Sequence, residues 1–99
     1  MARFDVYANP DGVGGLLDIQ ADLLRHLNTR VVVPLLPLAI APKPARTLNP
    51  CFDIGGDILV MVTQFMAAVP VVVLRTPLAS LQERRDDITA ALDFLMQGV

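Results

Sequence analysis

The sequence has few of the groups that usually do chemistry. It holds one cysteine, one histidine and no tryptophan, and only 18% of its 99 residues are charged. A lone Cys51 excludes an intrachain disulfide and fits a reducing, cytoplasmic setting. Cys51 and His26 together cannot supply the three or four ligands of a metal site. A basic excess is missing too. Eight Lys and Arg stand against ten Asp and Glu, and the isoelectric point is near 5.0. The cations are scattered over Arg3, Arg25, Arg30, Lys43, Arg46, Arg75 and the pair Arg84-Arg85, which Asp86-Asp87 follows at once. Proteins that bind nucleic acid through phosphate charge show a basic stripe, so no direct sequence-specific nucleic-acid binding is expected. No basic segment leading into an apolar core opens the chain, so no secretory signal is expected.

Apolar residues are plentiful, at 54%, with a mean hydropathy of +0.53. Disorder is therefore excluded. A chain of this length makes one domain, residues 1–99, and hides about 64% of its unfolded surface. Apolar surface beyond that core needs a subunit interface. Residues 58–74 carry no charge, a length at the lower limit of a membrane span. Gln64, Pro70 and the many valines favour two buried strands instead, so no membrane partner is expected.

Periodicity sets the elements. Arg3 to Ala8 alternates, with Phe4 and Val6 on one face, and predicts a strand. A dense turn cluster, Asn9 to Gly15, joins it to a second strand over Leu16 to Gln20. Leu23 to Asn28 reads as a helical turn or connector. Arg30 to Val33 predicts an edge strand that breaks into an extended segment fixed by Pro34, Pro37, Pro42 and Pro44. Strands follow over Thr47 to Ile54, Ile58 to Thr63 and Val71 to Leu74, with a turn at Gly55-Gly56-Asp57. Ser80 and Glu83 fit a capping box for a helix from Gln82 or Glu83 to about Met96. Ile88, Leu92, Leu95 and Val99 form its stripe, widened by Ala91 and Met96, and Gly98 stops it.

Catalytic readings find little support. No signature surrounds Cys51 or His26, and Cys51, between Pro50 and Phe52, reads as a small buried apolar side chain. Asp53 and Asp57 flank a Gly-Gly turn, where aspartate is structural. Asp18 and Asp22 share the same four-residue spacing without a stronger signal. Gly12, Gly14 and Gly15 lack the lysine and helix start of a phosphate loop. No cofactor is expected, and action by binding is the natural inference.

The order of segments adds to this. Phe4-Asp5-Val6-Tyr7 leads to Leu17-Asp18-Ile19-Gln20-Ala21-Asp22-Leu23-Leu24, then Thr29 to Leu35, and then Leu48-Asn49-Pro50. Ile54-Gly55-Gly56-Asp57 and Met66-Ala67-Ala68-Val69-Pro70 follow, and a helix stops at Gly98-Val99. Over essentially the whole chain this resembles the CcdB family, toxins of bacterial addiction pairs that maintain plasmids. The resemblance implies an α+β fold related to the Kid/MazF toxins: a bent antiparallel sheet, partly SH3-barrel-like, with one C-terminal α-helix. It implies a homodimer that binds the A subunit of DNA gyrase and traps the cleaved gyrase–DNA complex, itself catalysing nothing. It also implies a CcdA-like antitoxin.

By the same resemblance, Gln97, Gly98 and Val99 are the gyrase contact. Ala21, Asp22, Met66, Ala67, Ala68, Val69, Pro70, Leu95 and Met96 form the dimer interface. The antitoxin is expected on the sheet face around Tyr7, Ile54 and Val62. The family's tryptophan ahead of the Gly-aliphatic ending is Gln97 here. Two alternatives follow: a CcdB-like dimer that binds antitoxin without poisoning gyrase, and a MazF/Kid-like endoribonuclease.

Overall fold

Short apolar runs separated by turn residues form strands too narrow to stand alone, so they pair in succession and curl. The structure, a computed structural model, describes residues 2–98. Among these, seven strands precede one helix: β1 (Asp5–Ala8), β2 (Gly15–Asp18), β3 (Thr29–Pro37), β4 (Cys51–Ile54), β5 (Asp57–Met61), β6 (Ala67–Pro70), β7 (Pro77–Ser80) and α1 (Arg85–Gln97). Every pairing is antiparallel. The order is β4-β5-β3-β2-β1-β7, with β6 also on β3. The result is the expected α+β half-barrel with a C-terminal helix.

The β1–β2 hairpin forms as its alternation predicts. Its turn presses on β3: Gly14 has φ +88, and an added Cβ would run into the Leu35 carbonyl oxygen. Only glycine fits there.

β3 departs from expectation. It is no edge strand but the hub, nine residues long, paired with β2 on one side and with β6 then β5 on the other. Its prolines are tolerated for a positional reason. Pro34 sits at the changeover, between Val32↔Ala67 and Leu35↔Met61. Its carbonyl accepts a hydrogen bond from Val62 N at 3.0 Å on that side, so its missing N–H faces the gap between partners.

Three further corrections follow. The strand expected at Val71 to Leu74 lies earlier, at Ala67–Pro70, and Val71–Val73 is a 3-10 turn. β7 was not foreseen. The capping box does not start the long helix. Ser80 Oγ accepts from Gln82 N at 3.3 Å and opens a 3-10 turn, Gln82–Arg84, and α1 begins only at Arg85. Cys51 is exposed rather than buried, because β4 is an end strand of the sheet.

Cross-strand partners share a face. Val6, Leu17 and Val33 are mutual partners on the inner face, where they pack with Leu35, Phe52, Leu59 and Met61 against Ile88 and Ala91 of α1. Tyr7, Leu16 and Val32 line the outer face, covered by Leu74 with Val69 and Val73. No helix among the described residues is long and apolar enough to cross a membrane.

Candidate interaction surfaces

α1 carries the expected tip. Asp86 and Asp87 occupy its first turn, where the helix dipole favours acid, and Arg84 pairs with Asp87 at 2.8 Å. Ile88 and Ala91 are fully buried, and Leu92 and Leu95 are half-buried, so this stripe anchors the helix. Met96, 68% exposed, turns outward instead. Gly98 is the C-cap at φ 75, its N–H donating to Phe94 O at 2.9 Å. That left-handed residue reverses the chain and leaves Gln97 exposed at the helix end. No cation lies in the last turn, so the negative end of the dipole is unopposed there. Val99, the third expected tip residue, lies outside the described residues.

The expected dimer residues fall on neighbouring elements. α1 touches the Thr63–Phe65 turn, which runs through Met66 straight into β6. Ala67, Ala68 and Pro70 are exposed, Met66 and Val69 half-buried, and β6 has no strand on its outer edge among the described residues. Ala21 and Asp22 are exposed at the start of a 3-10 turn.

One residue ties these places together. Arg30 pairs with Val69 through the backbone, and its Nη2 lies 3.8 Å from Asp22 Oδ1. Its guanidinium grips Asp18 Oδ2 from Nε at 2.9 Å and Nη2 at 2.5 Å, with both side chains fully buried. Gln20 N donates to Asp18 Oδ1 at 3.1 Å, and the Gln20 side chain accepts from Val31 N. Burial pushes the Asp18 carboxyl above the usual carboxylate range, although Arg30 and the Gln20 N–H oppose the shift. Arg30 Nη1 and Tyr7 Oη are buried with no hydrogen-bond partner among the described residues. Sequence reasoning passed over this ion pair. Its signal was one charge of each sign inside the apolar runs 16–19 and 30–33.

The expected antitoxin residues do not share an open face. Tyr7 is buried in the outer-face cluster, and Ile54 packs against the inner-face cluster. Val62 is fully buried. Ile54 alone borders an open cleft, at the end of the sheet where the β1–β2 and β4–β5 turns meet. His26 and Arg25 line a separate shallow depression with Asp22 and Leu23. His26 and Cys51 stay on separate elements, β4 and the connector after Leu24.

Comparison with known proteins adds two findings. The family model described as CcdB protein matches residues 3–98, nearly the whole chain. Among solved structures, the Mycobacterium tuberculosis toxin MazF-mt6 is similar, with a TM-score of 0.74 and 16% identity. The match covers 93% of this chain and 95% of that one. At that identity the likeness is one of fold.

Proposed function

Since the chain belongs to the CcdB family of toxin–antitoxin toxins, we propose that it binds the A subunit of DNA gyrase with the end of α1. Bound there, it holds the gyrase–DNA complex in its cleaved state. The observation that carries this reading is the helix end itself. Gln97 is exposed, Gly98 turns the chain outward, and the dipole's negative end is free of cations, which suits a cationic partner surface.

The active form in this reading is a homodimer. Two copies meet across β6 (Ala67–Pro70), Met66, Leu95 and Met96, with Ala21 and Asp22 at the margin. The support is exposed apolar surface beside a strand edge that lacks a partner, which a second copy would cover. A twofold dimer would carry two tips, matching the twofold symmetry of gyrase. The chain acts as an inhibitor, and no catalytic step is assigned to it. A cytoplasmic location follows from its target.

The test is a DNA cleavage assay with purified protein, gyrase from the same organism, ATP and supercoiled plasmid. Protein-dependent linear DNA is expected after quenching with detergent and protease. A chain cut before Gln97 should stay folded and produce none. If the shortened chain cleaves as well as the full one, the tip mechanism is wrong.

Gln97 itself favours a second reading, a dimer that binds antitoxin without poisoning gyrase. A guanidinium stacked on an aromatic face is worth roughly 1–2 kcal/mol when desolvated. Losing it at both tips would weaken binding on the order of tens- to hundreds-fold. This reading expects tight antitoxin binding and no linear DNA. The endoribonuclease reading is weaker. The described Arg–Asp pair with the closest contact, Arg30–Asp18, is sealed from solvent and cannot reach an RNA phosphate. Incubation with single-stranded RNA should leave it intact.

A further inference from the structure

The inner face of the sheet is covered by α1, but its far end is open. A cleft of about 470 Å³ lies where the β1–β2 turn, the end of β3, the β4–β5 hairpin tip and the start of β7 converge. Val13, Pro37, Ile54, Ile58 and Leu78 line it, and Leu59 connects it to the core. Three of these are open to solvent: Val13 at 60%, Leu78 at 64% and Ile58 at 47%. α1 contributes no residue to the lining. Isolated exposed aliphatics need no explanation, but convergence of three on one concave site does.

The charges at the rim are of one sign. The two turns that form the cleft, residues 9–15 and 53–58, contain Asp11, Asp53 and Asp57 and no Lys or Arg. Asp57 lines the cleft itself. Asp53 is held in place by accepting from Gly56 N at 3.0 Å. β4 beside it is an end strand, so its outer edge offers backbone N–H and C=O groups that no strand takes among the described residues.

We propose that this cleft receives an extended segment of the antitoxin. That segment is aliphatic where it enters between Ile54, Ile58 and Leu78, and carries Lys or Arg beside the aspartates. The inference rests on the toxin–antitoxin reading and gives that partner a site and a chemistry. It moves the expected antitoxin contact from Tyr7 and Val62, which are buried, to Ile54 and the exposed residues around it. Apolar contacts supply affinity, the carboxylates set the polarity of the segment, and the open strand edge favours an extended backbone.

The test measures binding of the full-length cognate antitoxin to the full-length protein by calorimetry. Val13→Asp and Leu78→Asp alter exposed positions, so their urea midpoints and gyrase readout should match the wild type. Each should weaken antitoxin binding at least tenfold. Asp57→Lys should weaken it as well and flatten its salt dependence, because a screened attraction has been replaced by repulsion. Affinities within twofold of wild type for all three variants would overturn the cleft while leaving the antitoxin partner intact. Failure of the wild-type protein to bind the antitoxin would overturn the toxin–antitoxin reading and the cleft with it.

Discussion

At the scale of the residue, the outer face depends on a charge pair that apolar neighbours surround. Arg30 and Asp18 have lost their water, and each is tolerable only because of the other. Arg30→Met would leave the Asp18 carboxyl buried without its partner, costing about 3–5 kcal/mol. The urea midpoint should fall accordingly. The double variant Asp18→Leu with Arg30→Met should recover at least half of that loss, since two apolar groups replace a desolvated pair. A single-variant cost below about 1 kcal/mol would show that water reaches the pair.

Tyr7 makes the opposite case, because its buried hydroxyl has no partner. Removing an unsatisfied group is neutral or stabilising, so Tyr7→Phe should hold or raise the urea midpoint at pH 7. Burial pushes the phenol upward from 10.0, Asp5 and Asp18 add to this, and Arg30 opposes it. The folded state therefore holds that proton more tightly than the unfolded chain. This contribution is complete below pH 10 and is lost as pH climbs through the folded value. Wild-type stability should fall more steeply above pH 10 than that of Tyr7→Phe, and parallel curves would refute the assignment. Neither group was legible in the sequence. Their meaning depends on register, Asp18↔Val32 and Tyr7↔Leu16, which one strand's residues do not reveal.

At the scale of the element, periodicity was a good guide and punctuation a poor one. The α1 stripe was legible because Ile88, Leu92 and Leu95 repeat at helical spacing and a glycine follows. The β1–β2 hairpin was legible from its alternation and turn. Prolines misled at β3, because Pro34 reads as a breaker until its gap between β6 and β5 is known. β7 was hidden because Pro77-Leu78-Ala79-Ser80 has no alternation and borrows its strand geometry from β1. Cys51 was misplaced for a related reason: its chemistry suits a core, but an end strand gives it none. The helix anchor can be tested directly. Ile88 is fully buried against the sheet, so Ile88→Ala should cost about 2–5 kcal/mol, combining lost transfer energy with a cavity. The urea midpoint should drop while the slope stays unchanged. A changed slope would mean that α1 detaches on its own rather than unfolding with the sheet.

At the scale of the whole molecule, the decisive question is whether the tips act in pairs. A lone tip offers a short helix end, whereas two tips on one rigid dimer make the second contact intramolecular, at an effective concentration in the millimolar range. The surface proposed to join the copies is built from small and flexible residues, Ala67, Ala68 and Met96, that cost little to expose in a monomer. Charges placed there should leave the protomer folded and penalise only the joined state, where they would be desolvated. Ala68→Arg combined with Met96→Asp, at two exposed positions, should therefore keep the urea midpoint within about 1 kcal/mol of stability. Sedimentation should shift the species from dimer to monomer. Gyrase-dependent DNA cleavage should then fall at least a hundredfold, because the avidity of the second tip is gone while Gln97 and Gly98 are unaltered. A variant that remains dimeric would place the interface on another face of the sheet. A monomer that cleaves as well as the wild type would show that one tip suffices, so the match between twofold toxin and twofold target would have no mechanistic role.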